Sequence, residues 1–436
     1  MLNKFFHITE HGSSVKTELL AGGTTFMTMA YILAVNPSIL SKAGMDAPAV
    51  FTATALSAMV ATLVMALVAK LPFALAPGMG LNAFFAYTVV LDMGYSWQMA
   101  LTAVFIEGIL FLLLTLLDVR EKIVNSIPIP LKHAISAGIG LFIAFIGLRN
   151  AGVIVKNDAV LVGLGNLNSA PVILMSTGVV ISAVLLALRV RGALLIGIFA
   201  ITVAGIPFGV TQVPEGSTLM SAPPSLSPIF WKLDFSKLFT PDMLIILFTF
   251  LFMDMLDTIG TLVGVTEKSG MMDKDGKIPN AKAAFMADAI GTTTGAVLGT
   301  STVTVYMESA SGVAEGGRTG LTSLAVACLF FVSLFFAPLF IMVPAVATAP
   351  ALLAVGYFMM SPVSKIDFNK IEEAFPAFIT IIMMPLTYSI ADGIMFGMLS
   401  YVLVNLLTGK VKNISITMAI LAVIFAIELF KLYELF

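Results

Sequence analysis

Residues Gly299 to Ser323 read GTSTVTVYMESASGVAEGGRTGLTS, and this stretch decides the fold. Apolar runs flank it on both sides, which places it at membrane depth. Yet it opens on Thr, Ser and β-branched residues, carries an acid at Glu308, and ends on the Gly-rich basic turn EGGRTG. Lipid offers backbone N–H and C=O groups no partner, so irregular polar backbone survives there only when buried in protein or lining a wet cavity. An ionisable side chain at that depth is a functional candidate by default. The stretch is therefore expected to form a short extended piece feeding a half-helix, with Glu308 near its start.

The rest of the chain agrees with a membrane setting. Of 436 residues, 59% are hydrophobic and only 11% charged, the composition of an all-α polytopic membrane protein. A net charge of −2 gives no footprint for nucleic acid. The single cysteine, Cys328, excludes an internal disulfide and a thiolate metal cluster. His7, His11 and His133 all lie near expected surfaces, so no deep histidine relay is expected. EGGRTG lacks the strand, lysine and spacing of a P-loop, which argues against ATP, and no cofactor is expected. No HExxH and no Ser/His pair points to an enzyme. The start of the chain lacks the short apolar core and cleavage site of a signal peptide. It reads either as an amphipathic lead-in that lays Phe5, Phe6 and Ile8 on the bilayer surface, or as a disordered end.

Apolar segments fall near 18–40, 48–69, 71–91, 98–118, 130–152, 171–188 and 192–210, then near 243–265, 280–298, 299–315, 320–341, 342–360, 373–388 and 390–408. That is about fourteen transmembrane segments on a rule of about 20 apolar residues per span. With the N-terminus inside, Arg120, Lys122, Lys132, Arg189, Arg191, Lys268, Lys274, Lys277, Arg318, Lys365, Lys370, Lys410 and Lys412 fall on the cytoplasmic side of a cell membrane. A further apolar run, Ile414 to Phe430, is either an additional span or an interfacial helix.

The polar stretch 211–242 divides the segments seven and seven. An odd number per half inserts the second half upside down, the inverted-repeat logic of many secondary carriers. The third segment of the first half, LPFALAPGMGLNAFFAY (Leu71 to Tyr87), is broken by Pro77 and Gly78. The third of the second half is the opening stretch, loosened by Thr300, Ser301 and Thr302. Interrupted segments at matching positions point to a binding site near the bilayer midplane.

Acids gather around that pair. FMDMLDTIGTLVG places Asp254 and Asp257 three apart on one helix face. Two acids without further ligands are a poor divalent-metal site, so no metal is expected. Asp257 and Glu308 are the main pair. A carboxylate can take up a proton, and when ionised it accepts hydrogen bonds from ring N–H or amino groups. One group can thus couple proton entry to ligand binding. Asp254 and Asp288 (in FMADAIG) read as supporting acids, with Asp288 bonded to the hydroxyl-rich start of segment ten. Glu107, alone in VFIEGIL, reads as structural or near-surface. Asn82 carries both donor and acceptor for a heteroaromatic edge. Phe84, Phe85 and Tyr306 could offer ring faces, although with 33 Phe any single one is more often packing. Thr304 completes the substrate-facing set.

At these residues the chain resembles the purine nucleobase permeases of the azaguanine/hypoxanthine–guanine type, within the nucleobase–cation symporter superfamily. The resemblance runs through GGTTFMTMAYILAVNPSIL, APGMGLNAFF, LDTIGTLVG, GTSTVTVYMESASGVAEGGRTGLT and IIMMPLTYSIADGI. It implies fourteen spans in two inverted repeats, with short strands from segments three and ten meeting mid-membrane. It implies a core domain from 1–118 and 243–341, a gate domain from 119–210 and 342–412, an external connection at 211–242 and an extra hydrophobic segment at 413–436. It implies substrate contacts at Asp257, Glu308 and Tyr306, and a proton, ahead of sodium, as coupling ion. Where the wider superfamily has a histidine four residues beyond the first acid, this chain has Thr261, so that coupling role does not carry over. The expected function is proton-coupled uptake of a purine nucleobase, hypoxanthine or guanine favoured and adenine or xanthine open, with gate helices able to pair in a homodimer. The rival reading is an anion exchanger or channel on the same fold.

Overall fold

A computed structural model describes residues 2–117, 128–157, 161–213, 219–269, 271, 278–416, 418–423 and 425–426. The chain runs α1 (Leu2–Phe6), α2 (Val15–Met29), α3 (Ile32–Leu40), α4 (Ala47–Val64), β1 (Leu75–Pro77), α5 (Met79–Ala83), α6 (Trp97–Leu116) and α7 (Ile129–Asn150). A hairpin of β2 (Ile154–Asn157) and β3 (Leu161–Leu164) leads to α8 (Ala170–Ala187) and α9 (Ala193–Ala204). Then follow α10 (Pro241–Ser269), α11 (Ala281–Leu298), β4 (Val303–Val305), α12 (Ser309–Ala314), α13 (Gly320–Ser333), α14 (Ala337–Ile341), α15 (Ala345–Met360), α16 (Ile371–Thr387) and α17 (Ile390–Leu407). Among the described residues, seven helical stretches are long and apolar enough to cross a membrane, and three shorter apolar helices accompany them. The protein is a mostly helical, multi-pass membrane protein.

The chain divides into two compact units, Met1–Leu117 with Leu148–Ala351, and Asp118–Gly147 with Leu352–Phe436. The second unit packs on small residues. A Cβ on Gly140 would stand 2.6 Å from the carbonyl of Gly356, and Thr380 of α16 fills the space beside Gly397 of α17. Without a hydrophobic drive between helices in lipid, such close backbone approach supplies the association. Of the run after α17, residues 418–423 are helical, with the Met418 N–H capped by the Ser415 hydroxyl at 3.1 Å.

The first unit holds the chain's polar crossing. β1 and β4 pair antiparallel, Leu75 opposite Val305 and Ala76 opposite Thr304. Gly78 N–H extends the ladder to Thr302 C=O (2.9 Å), and Tyr306 N–H does so to Ala74 C=O (2.9 Å). Two strands leave two outer edges, which lipid could not satisfy. On each edge one threonine serves both backbone groups of the strand's first residue. Thr62 of α4 donates to Leu75 C=O (3.1 Å) and accepts from Leu75 N–H (3.0 Å). Thr292 of α11 does the same for Val303, at 3.0 and 3.2 Å. Leu75 and Val303 each open their strand, so both strands have the same kind of partner at their first residue. Replacing Thr292 with Val keeps the volume and orphans both groups of Val303. It should cost about 1–3 kcal/mol, read as a lower thermal midpoint of detergent-purified protein. An unchanged midpoint would show that these bonds are dispensable.

Two regions have more structure than the sequence implied. The segment 219–240 folds back on its own unit: Thr52 donates to Pro224 C=O (2.9 Å), Trp231 N–H to Val297 C=O (2.9 Å), and Asp234 N–H to the Thr102 hydroxyl (2.7 Å). It buries Ile229 against Gly299, whose φ of +99° is open to glycine but strained for other residues. At the start of the chain, Phe5 is exposed, but Phe6 and Ile8 are buried against Leu321 of α13. The expectation that all three lie on the bilayer surface, or that the end is disordered, is corrected: Phe6 and Ile8 find protein partners, which hold the segment in place.

Candidate functional site

β4 turns directly into the short helix α12, and Glu308 is its N-cap residue. Glu308 is half-buried and its neighbour Met307 is exposed, so this end of the crossing is reachable. The Tyr31 hydroxyl, at the break between α2 and α3, donates to Glu308 Oε1 at 2.5 Å. Asp257, half-buried on α10, lies within electrostatic range of Glu308, and Tyr306 is within range of both acids. The Tyr306 hydroxyl donates across the ribbon to the Pro77 carbonyl at 2.5 Å. The two expected main acids and the expected tyrosine thus come together where the strands end.

Asp254 and Asp257 share a helix but serve different neighbours. Asp254 is fully buried, and the Thr258 hydroxyl lies 3.2 Å from its Oδ1. That same hydroxyl lies 3.0 and 3.1 Å from the oxygens of Asp288 and 2.8 Å from Thr304 Oγ1. Thr258 has one proton to give, so it links two buried acids and the middle of β4 through one oxygen. Asp288 therefore reaches segment ten by way of Thr258. Thr261, one turn beyond Asp257, is buried in the same helix.

Asn82 sits in α5, fully buried, with its Oδ1 accepting from the Ser301 hydroxyl. Its Nδ2 has no hydrogen-bond partner among the described residues. A buried donor without a partner is costly, and a ligand acceptor would relieve it. Phe84 is buried edge-to-face on Phe250, ring centroids 4.8 Å apart. Phe85 is buried too. Among the described residues, no group of three or more His, Cys, Asp or Glu could hold a metal ion.

Several residues that shape this region were not singled out in the sequence. Tyr31 and Thr258 are two. Glu107, which the sequence did single out as structural or near-surface, is fully buried and accepts from the Thr302 hydroxyl at 2.7 Å. Glu18 is a third: its carboxylate accepts from the N–H groups of Arg318 (3.0 Å) and Thr319 (3.2 Å) and from the Thr322 hydroxyl (2.6 Å). The EGGRTG turn is thus an acid-capped entry to α13, the favourable place for negative charge. Arg318 in turn donates to the Val313 and Gly317 carbonyls at 2.6 and 2.7 Å, closing the end of α12.

A ribbon and two short helices thus lie among apolar helices, with reachable acids beside them. The transmembrane domain of a cyanobacterial bicarbonate transporter, BicA, has a similar fold, with a TM-score of 0.64 at 18% identity over 86% of this chain and 96% of that one. The chain belongs to the Permease family, which its residues 16–396 match. The guanine/hypoxanthine permease PbuG of Bacillus subtilis is 46% identical over 435 residues, covering 97% of this chain and 98% of the relative. The adenine permease AdeP of Escherichia coli is 43% identical over 429 residues, covering 98% and 96%.

Proposed function

We propose that this protein is a proton-coupled purine nucleobase carrier that works by alternating access. The observation that carries the reading is the convergence of Asp257 and Glu308 at the end of the β1–β4 ribbon, in a chain whose full-length relatives are named as purine permeases. An ionised Glu308 accepts the ring N–H edge of the base, Asp257 completes the acceptor set, and Asn82 offers its unpartnered donor. Tyr306, Thr304 and Phe84 bound the ring. Protonation at Asp257 or Glu308 accompanies loading. Asp254, Asp288 and Thr261 support the acids from behind. The fold reading that goes with it is fourteen spans in two inverted repeats, with a core of 1–118 and 243–341 moving against a gate of 119–210 and 342–412.

The second reading, an anion exchanger, draws on the likeness to the bicarbonate transporter. That likeness concerns the fold. A site for an anion favours cations or bare helix ends, whereas the reachable groups here are Asp257 and Glu308. The deciding experiment is uptake of labelled hypoxanthine, guanine, adenine and xanthine by a permease-deficient bacterial strain, with and without a protonophore. Protonophore-sensitive accumulation of one purine is the expected result. Accumulation that needs sodium would overturn the coupling ion. No uptake of any base, from protein shown to be in the membrane, would overturn the substrate class.

A further inference from the structure

GGTTFMTMAYILAVNPSIL supplied much of the family resemblance, yet the proposed site uses none of its side chains. In the structure this segment is the wall against which α12 is mounted. Ala21 and Thr25 of α2 lie against Gly312. One turn on, Thr28 Oγ1 lies 3.0 Å from Ser311 Oγ. The seam ends at Tyr31, which donates to Glu308 at 2.5 Å. Positions 21, 25, 28 and 31 follow helical spacing, so one stripe of α2 and its end runs along α12 in the opposite direction, from Gly312 back to its N-cap Glu308.

Tyr31 differs from the rest of the stripe. It is 1% exposed, and its hydroxyl reaches a side chain that is itself reachable. The helix breaks at this point: Leu33 N–H closes a tight turn onto Ala30 C=O at 3.1 Å. Pro37, inside α3, has no N–H to return to the preceding turn. The break ends α2 where its tyrosine meets the acid. A carboxylate accepts at about four lone-pair sites, and Tyr31 fills one of them. The backbone of Glu308 bonds to the carboxylate as well, and the remaining sites are available to a ligand.

We propose that Tyr31 is a positioning residue of the purine site: its hydroxyl fixes the Glu308 carboxylate so that the remaining lone pairs meet the base's N–H edge. The inference rests on the carrier reading given above. Removing the hydroxyl frees Glu308 to rotate, so ligand affinity falls while the translocation machinery is intact.

The test is the Tyr31→Phe variant, compared with Glu308→Gln and with the unaltered protein, in concentration-dependent uptake of whichever labelled purine the unaltered protein transports. The expected result is a KM raised about tenfold, the scale of one hydrogen bond to a charged group, with a maximal rate within about twofold of normal and normal abundance in the membrane. A KM unchanged in Tyr31→Phe, with uptake lost in Glu308→Gln, overturns the role of Tyr31 and leaves the carrier reading standing. Normal uptake in Glu308→Gln overturns the site reading itself. A maximal rate that falls with an unchanged KM assigns Tyr31 to the moving parts and also overturns the proposal. Where Tyr31→Phe does not reach the membrane, 3,5-difluorotyrosine at position 31, which keeps the ring and changes the acidity of its hydroxyl, replaces it: a changed KM at a normal maximal rate supports the proposal, and an unchanged KM overturns it.

Discussion

Glu308→Gln lowers purine uptake about 10- to 100-fold while the protein still reaches the membrane. The reason is the asymmetry of the change. Glutamine keeps the volume and one acceptor oxygen, which Tyr31 occupies in the present geometry, but presents two donors where the second carboxylate oxygen stood. A base offering N–H groups would then face N–H groups. Losing a hydrogen bond to a charged partner and leaving a donor unpaired is worth about 1.5–3 kcal/mol, which sets the range. Asp257→Asn should act in the same direction, because Asp257 shares the field of Glu308. Asp254→Asn and Asp288→Asn should behave differently. Both acids are fully buried on the Thr258 hydroxyl, so their loss should appear first in the yield of folded protein. The measurement is initial-rate uptake of a labelled purine, normalised to the amount of protein in the membrane. If Glu308→Gln and Asp257→Asn both transport at the normal rate with normal pH dependence, the acids are not the site.

Much of this arrangement was legible in the chain because lipid is an unforgiving solvent. Thr300 to Thr302 and Pro77-Gly78 are poor lipid-facing helix, so a break in one segment and a short extended piece in the other followed from the residues, while the pairing of two strands was implied only by the family resemblance. Glu308 was legible for the same reason: an acid there demands a purpose. The partners were not legible. Tyr31 lies 277 residues from Glu308, and nothing local marks one tyrosine among helix residues as the donor to that acid. Thr258 follows Asp257 by one residue, yet its role depends on Asp288 and Thr304, which arrive from other elements. Glu107 looked isolated because its partner, Thr302, is 195 residues away. Phe6 and Ile8 looked like membrane anchors because burial against protein and burial in lipid ask for the same apolar side chains; only the position of Leu321 separates the two. Polar residues at depth announce that a network exists, while the pairing within it belongs to the tertiary fold.

Gly312→Val should abolish uptake and sharply lower the yield of folded protein, and the contrast with a second glycine shows why. A Cβ on Gly312 would stand 2.1 Å from Thr25 Oγ1 and 2.6 Å from the backbone carbonyl of Ala21. The threonine can rotate; the α2 backbone cannot, so α12 must move away. Overpacking of this kind costs about 1–3 kcal/mol and sometimes more. Here the displaced helix also carries Glu308 away from Tyr31, so function falls further than stability alone explains. Gly23 lies on the same α2 helix, and a Cβ placed there meets nothing within 4 Å. Gly23→Ala should therefore leave uptake unchanged and add up to about 1 kcal/mol of helix stability. Thermal unfolding and purine uptake of the two variants, measured side by side, separate the seam from helix propensity. Equal damage from both would mean that α2 tolerates no added methyl at all. Tolerance of Gly312→Val would mean that α12 has a second seat, and that the clamp on Glu308 is looser than its contacts with Ala21, Thr25, Thr28 and Tyr31 require.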